Sequence, residues 1–221
     1  MPRYVEAEGL VLDSKPSGEK HRRLTLLSPT LGLVTAMARD SRASAKPATA
    51  RKGKNPPSRP DIFDQATVQL EIPDSGTVHA NFYFLREYKL LHRHTGLGNS
   101  YAALEAAAGL ARLIAHNAAH FETCAPVYEL CRKALEALEK GALPEAVRIK
   151  ALFLLASAEG YAAREQWLPA LPASDQAVVI TVLNRPASEA AQLLAEAAGR
   201  LPKLRAAFER WLEQHTDLEV K

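Results

Sequence analysis

Lysine and arginine residues cluster in the first third of the chain, and their type and spacing suggest a binding function. Residues 1–60 hold 12 Lys and Arg against 5 Asp and Glu, and residues 61–221 hold 16 against 20, so a net charge of +3 conceals a basic N-terminal third. Seven cations and one acid, Asp40, lie between residues 39 and 59. Such a cluster can neutralise an anionic polymer, and nucleic acid is the first candidate.

These cations fall on a predicted hairpin and on the segment that follows it. Two β-leaning apolar runs, at 24–27 and 33–38, flank a turn with Pro29 and Gly32, which predicts two strands. Residues 43–60 are rich in Ala, Ser and Pro, which predicts a long loop. The predicted nucleic-acid-binding residues are Lys20, Arg22, Arg23, Arg39, Arg42, Lys46, Arg51, Lys52, Lys54 and Arg59. The alternative is a solvated loop that binds nothing.

Alternating apolar residues predict five strands in about the first 85 residues. The alternation covers 5–11, the two hairpin runs, 66–72 and 78–84. This count favours a small closed five-stranded barrel of the OB type. Residues 1–60 contain a single aromatic residue, Tyr4, which leaves little surface for stacking bases and predicts contacts with the phosphate backbone instead.

Three aromatic residues of the fifth predicted strand need separate assignments. We expect Phe82 and Phe84 to fill the barrel, and Tyr83 to offer one stacking face. Glu6 and Glu8, on one face of the first strand, are expected to be solvent-exposed.

Helical periodicity replaces the strand pattern from Tyr88 onward. Ser100 is placed to cap a helix, Gly141 and Gly160 to end helices, and Pro144 to begin one. The sequence therefore predicts a barrel domain over residues 1–86 and an all-α helical domain over 87–221. No apolar run approaches the roughly 20 residues of a membrane span, and no signal peptide precedes the first strand, so we expect a cytoplasmic, nucleoid-associated protein without membrane contact.

Catalytic signatures are missing from the sequence. It has no glycine-rich phosphate loop, no zinc-protease helix and no nucleophile elbow. His92-Arg93-His94 has no further ligand at a workable spacing and is expected to be a polar linker. Cys124 and Cys131 are expected to be small buried residues. We therefore expect no enzyme activity, no metal, no cofactor and no small-molecule substrate.

Three groups of motifs follow one another along the chain. The first consists of Gly18-Glu19, Leu24–Pro29, Gly32–Val34 and Ala38–Arg42, the second of residues 141–148 through Gly160-Tyr161, and the third of residues 204–220. In this order they resemble the N-terminal signature, the central helical segment and the closing helix of the RecO family of bacterial recombination mediators. The resemblance implies an OB fold followed by a helical domain.

The resemblance also implies a function in the RecF pathway of DNA repair. Members of the RecO family bind single- and double-stranded DNA, anneal strands coated by single-stranded DNA-binding protein, and cooperate with RecR in loading recombinase. Arg39 and Arg42 fall on the family's basic motif. Arg148 falls on a family arginine that contacts the acidic, apolar C-terminal tail of single-stranded DNA-binding protein, which suits an exposed guanidinium beside an apolar groove.

Two departures from the family pattern stand out. Asp40 occupies a position where the family usually has glycine, which places an acid inside the basic motif. Many members carry a four-cysteine zinc module where this chain has residues 162–175 without a cysteine, so no zinc is expected.

Two other function classes stay open: an adaptor for RNA or a ribonucleoprotein, and a protein-interaction module whose basic loop is incidental.

Overall fold

Five strands form the N-terminal part of the computed structural model, which describes residues 3–39, 59–73 and 82–220. They are β1 Arg3–Ser17, β2 His21–Ser28, β3 Gly32–Arg39, β4 Gln65–Ile72 and β5 Phe82–His92. The strands pair in the order β1-β2-β3-β5-β4, and β1 also pairs with β4, so the sheet closes into a barrel. The β3–β5 pair is parallel and the others are antiparallel.

Every second residue of the strands points into the barrel, as the period of two requires. The buried side chains are small or aliphatic: Val11, Leu24, Leu26, Val34, Ala36, Ala38, Ala66, Val68 and Leu70. β1 extends through Ser17, beyond the alternation that the sequence shows over residues 5–11. A bulge between Val11 and Asp13 shifts the register, and pairing with β2 continues beyond it to Ser17.

β5 is longer toward the C-terminus than the alternation predicted. The sequence ended this strand at Phe84 and placed a domain boundary after residue 86, whereas β5 continues through His92 because its pairing with β4 reaches Gln65. Register shifts at two points in this pair break the period of two, which hides the second half of the strand from pattern analysis. Residues 78–81 of the predicted strand lie outside the described residues.

Seven α-helices follow the strands in the described part of the chain. They are α1 Tyr101–Asn117, α2 Cys124–Glu139, α3 Pro144–Ala158, α4 Ala163–Gln166, α5 Ala173–Asn184, α6 Ala187–Leu193 and α7 Leu201–His215. A sequence of strands and then helices was predicted, and it is confirmed. None of the described helices is both long and apolar enough to cross a bilayer.

The predicted helix boundaries are confirmed by their local geometry. The Ser100 hydroxyl accepts a hydrogen bond from the Ala103 amide at 3.3 Å and caps α1. Pro144 is the first residue of α3. Gly141 and Gly160 have φ angles of 83° and 82°, a left-handed conformation that glycine adopts without a steric penalty after a helix.

The chain divides into two compact units. The barrel unit comprises residues 1–93 and 122–128, and the helical unit comprises 94–121 and 129–221. Within the barrel unit, the Tyr128 hydroxyl donates to Glu8 Oε1 at 2.7 Å, and Gln65 Nε2 donates to the same oxygen at 2.6 Å. Glu8 is half-buried, so the expectation that it is solvent-exposed was wrong: it binds Gln65 and Tyr128 within the barrel unit.

The helical unit is built around α3, which is apolar on most sides and packs against α1, α5 and α7. Phe208 of α7 is fully buried. Its ring centroid lies 4.3 Å from that of Trp167 and 5.6 Å from that of Phe153. Aromatic side chains bury large apolar areas, so this cluster is a main source of the unit's stability.

Candidate nucleic-acid interface

Half of the predicted nucleic-acid-binding residues can be placed. Lys20, Arg22, Arg23, Arg39 and Arg59 lie in the described part of the chain. The other five, Arg42, Lys46, Arg51, Lys52 and Lys54, lie outside the described residues, as does Asp40. The geometry of the site is therefore that of the barrel wall.

The β2–β3 hairpin places Arg23 and Arg39 on the outside of the barrel. His21 pairs with Arg39 and Arg23 pairs with Met37 across the two strands, and cross-strand partners share one face of a sheet. His21, Arg23 and Arg39 are exposed. Lys15 of β1 extends the row because it pairs with Arg23 on the other side; pattern analysis did not select it because the bulge in β1 hides its register.

Arg22 belongs to the opposite face of the same strand. Its Nε donates to the Ser14 hydroxyl at 3.0 Å and its Nη2 donates to the Ser14 carbonyl at 3.2 Å. These bonds tie β2 to β1. Lys20, by contrast, is exposed in the turn before β2. The two neighbours Arg22 and Arg23 thus have different surroundings because strand side chains alternate between faces.

Aromatic side chains of β5 lie on the same outer surface, contrary to expectation. Phe84 pairs with Met37 in register and is 39% exposed. The Phe82 and Phe84 rings meet edge to face, with centroids 5.6 Å apart and an interplanar angle of 89°. Tyr83 instead packs against the barrel core. The assignment of Phe82 and Phe84 to the interior and of Tyr83 to the surface was wrong.

The signal that could have corrected this assignment is the residue two positions beyond Phe84. Arg86 shares the parity of Phe82 and Phe84, and a charged residue is rarely buried in a barrel. Arg86 is exposed, and its guanidinium carbon lies 6.0 Å from the centroid of the Phe84 ring.

A cleft of about 490 Å³ opens where these side chains meet. It is lined by His21, Met37, Ala38, Arg39, Pro60, Phe84, Leu85, Arg86 and Tyr88. We call the cleft and the adjoining exposed side chains Lys15 and Arg23 the outer face. Cations, an exposed ring and a thioether come together in it, although they lie on different strands.

Charge is distributed unevenly over the outer face. Arg86 donates through Nε to the Glu71 carboxylate, and this hydrogen bond raises the pKa of the guanidinium, so one side of the cleft is close to neutral. Lys15 pairs with Asp13 at 2.8 Å. In the described ranges of the chain, no ion pair joins Arg23 or Arg39 to another residue. The positive potential therefore concentrates at the hairpin side.

A buried carboxylate anchors the segment that leads into the cleft. The Asp64 side chain is fully buried and accepts hydrogen bonds from Arg93 Nε at 2.7 Å and from the Tyr88 hydroxyl at 2.6 Å. Arg93 Nη2 also donates to the Arg59 carbonyl at 2.8 Å. Burial, and next the bond to Asp64, raises the pKa of Tyr88 above its usual range. Residues 59–64 are thereby held against the barrel.

The expectation of a polar linker at residues 92–94 was wrong. Arg93 belongs to the barrel unit, where it binds Asp64; we call Asp64, Tyr88 and Arg93 the Asp64 cluster. In the helical unit, His94 is buried and its Nδ1 lies 2.8 Å from Glu139 Oε2. Glu139 Oε1 also accepts from the Gly96 amide at 3.2 Å, and a Cβ at Gly96 would come within 2.8 Å of Glu139 Cγ. The expectation that the chain binds no metal stays a prediction.

Arg148 lies in a different environment from the one expected. Its side chain is 22% exposed, and Nη2 donates to Glu209 Oε1 at 2.9 Å. Arg205 bonds Glu209 and Glu145, each at 2.5 Å, so the four charges form one network between α3 and α7. The hollow beside Arg148 measures only about 20 Å³. The expectation of an exposed guanidinium beside an apolar groove was wrong.

An apolar groove does occur elsewhere on the helical unit. It measures about 290 Å³ and is formed by α2, α3, α5 and α6. Its apolar lining consists of Leu130, Ala134, Ala137, Ala146, Val147, Ala151, Leu154, Val182, Ala187 and Ala190, and Lys133 and Lys150 also line it. A second hollow of about 210 Å³ shares Lys133 and adds Lys140. We call the two together the lysine groove.

Electrostatics make the lysine groove a cation-lined apolar surface. Lys150 Nζ donates to the Arg185 carbonyl at 2.7 Å, and burial lowers the pKa of its ammonium. Among the described residues that line the groove, Glu136 is the one acid, and Arg132 pairs with it. An anionic group placed here would gain Coulomb energy in a setting of reduced dielectric.

The Asp64 cluster generates a stability prediction. Asp64→Asn should lower the free energy of unfolding by about 2 to 4 kcal/mol, because it removes the buried charge that satisfies Arg93 and Tyr88. Asp61→Asn, at an exposed position of the same segment, should change it by less than about 0.5 kcal/mol. Urea denaturation followed by circular dichroism measures both. Equal midpoints for the two variants would contradict the anchoring role.

Comparison with known proteins gives no assignment of function. No protein-family model matches the sequence, and no curated protein matches it. The motifs quoted from the sequence and the two surfaces described above are the observations on which a function can be proposed.

Proposed function

We propose that this protein is a DNA-binding and strand-annealing mediator of the RecO type, with no chemical step of its own. The observation that carries the proposal is the outer face, where the β2–β3 hairpin presents Arg23 and Arg39 without an ion-pair partner in the described chain. The strand order β1-β2-β3-β5-β4 with a closing β1–β4 pair supports assigning the barrel to the OB fold. OB folds bind oligonucleotides on their strand 2–3 face, where these cations lie.

Charge explains how such a surface would anneal strands. Two complementary strands are polyanions that repel each other, and a cationic surface screens both at once. Lysine and arginine that contact phosphates release condensed counterions and bind single strands and duplexes alike. Arg23 and Arg39 supply this term from the barrel wall, and the cations between residues 42 and 54 would add to it.

The lysine groove is the proposed docking site for the coating protein. The resemblance implies a partner with an acidic, apolar C-terminal tail. Apolar walls bordered by Lys133, Lys140 and Lys150 suit a chain end that carries both carboxylates and an aromatic side chain. Arg148 is already paired with Glu209, so a contact between Arg148 and the tail, which the resemblance implies, would have to replace that ion pair. The proposal includes RecR as a further partner, with recombinase loading as the outcome.

Removal of the two hairpin cations tests DNA binding. Arg23→Gln together with Arg39→Gln should make the slope of log affinity against log salt less negative by about 1.5. Each phosphate contact contributes roughly −0.7 to −0.9 to that slope. Fluorescence anisotropy with a labelled oligonucleotide at several salt concentrations measures the slope. Single strands and duplexes should lose affinity alike.

A matched variant controls for net charge in this experiment. Lys89→Gln together with Arg112→Gln removes two exposed cations that do not line the cleft, and the slope should stay near the wild-type value. If both double variants make the slope less negative by the same amount, binding depends on the total charge of the protein and not on the outer face.

Annealing of complementary oligonucleotides coated by single-stranded DNA-binding protein tests the whole proposal. We expect the protein to accelerate annealing at low salt. Deleting the tail of the coating protein should remove most of the acceleration on coated strands and none on bare strands. Lys133→Gln with Lys150→Gln should have the same effect as deleting the tail, whereas the control pair Lys203→Gln and Arg210→Gln on α7 should not.

The outcomes of the annealing assay separate the function classes. No acceleration at low salt would rule out a mediator and leave a protein-interaction module. Acceleration that ignores both the tail and the lysine groove would remove the docking site and keep the charge mechanism. A stronger effect on RNA than on DNA would favour the RNA or ribonucleoprotein adaptor.

A further inference from the structure

We propose that the outer face contains a binding site for a single unpaired nucleobase, formed by the exposed ring of Phe84 and supported by Phe82 and Met37. The inference rests on the proposed function, because it names the form of nucleic acid that this surface holds. Phosphate contacts by themselves do not distinguish a single strand from a duplex. A stacked base would make that distinction.

The first argument is the exposure of Phe84, the third residue of β5. The barrel interior is already filled by aliphatic side chains, with Tyr83, Leu85 and Tyr88 packed against them. Phe84 therefore remains outside, 39% exposed, and lines the cleft. The Phe82 and Phe84 rings meet edge to face, with an interplanar angle of 89°, a geometry that favours a fixed orientation of the pair.

The second argument is the distance from the ring to the cations. Met37 lies between Phe84 on one side and Arg23 on the other in the strand register. Two strand spacings amount to about 10 Å, so Arg23 and the ring lie within reach of one short stretch of chain. Arg39 is two residues beyond Met37 on the same face. A strand can place its phosphates on the arginines while a base covers Phe84.

The third argument is the polarity of the cleft. Arg86 lies over the Phe84 ring, 6.0 Å from its centroid, and its hydrogen bond to Glu71 makes that side of the cleft nearly neutral and unsuited to a phosphate. A base is an uncharged, flat group and fits there. Stacking on an aromatic side chain is worth roughly 1 to 3 kcal/mol per base and tolerates any sequence. Bases in a duplex are covered by their neighbours and cannot use the site.

A substitution that keeps the apolar volume but removes the aromatic face tests the site. In the full chain, Phe84→Leu should weaken binding of an oligothymidine by roughly 5- to 150-fold. It should leave affinity unchanged for a duplex and for an abasic strand of the same length. Phe84→Trp should restore oligothymidine binding, and the fluorescence of the new tryptophan should be quenched by oligothymidine but not by the abasic strand.

The outcomes separate this inference from the proposed function. If Phe84→Leu leaves oligothymidine affinity unchanged, or weakens all three ligands equally while Phe84→Trp restores none, there is no base site, although phosphate binding stands. If the unaltered protein binds none of the three ligands, the proposed DNA-binding function fails and the base site fails with it. A preference of the unaltered protein for oligothymidine over the abasic strand that Phe84→Leu abolishes supports the inference.

Discussion

Closure of the five-stranded sheet is the constraint on which the functional surface depends. A small closed barrel has room inside only for side chains such as Leu26, Val34 and Ala36. Since successive strand residues alternate between faces, filling the interior commits the intervening residues to the outside. The parallel β3–β5 pair then sets Phe84 beside Met37, and the antiparallel hairpin sets Arg23 and Arg39 on the same wall. Ring and cations become neighbours through the topology of the sheet.

The Asp64 cluster fixes residues 59–64, the segment that precedes β4, against the barrel. A buried carboxylate is stable only with donors around it, and Arg93 and Tyr88 of the barrel unit provide them. Their positions depend on β5 continuing past residue 86, so the long strand and the anchored segment require each other. The cleft is bounded on one side by this anchored segment, which includes Pro60.

The helical unit follows a different rule, in which charge pairing decides what is available for binding. Arg148 and Arg205 are bound to Glu145 and Glu209, so an arginine that a motif singles out serves to join α3 to α7. Lysines around an apolar groove remain on the surface of α2 and α3. A motif match identifies a residue type at a position, but its partners decide whether the charge is available for binding.

Sequence alone determined the order of strands and helices, the helix caps at Ser100, Gly141 and Gly160, and the basic character of the hairpin, because these depend on local periodicity and backbone preference. It did not determine the face on which Phe84 lies, the length of β5, the partners of Glu8 and Arg93, or the engagement of Arg148. Those depend on bulges that shift register and on residues far apart in the chain. Only the closed tertiary structure brings such residues together, and the proposed base site rests on that proximity.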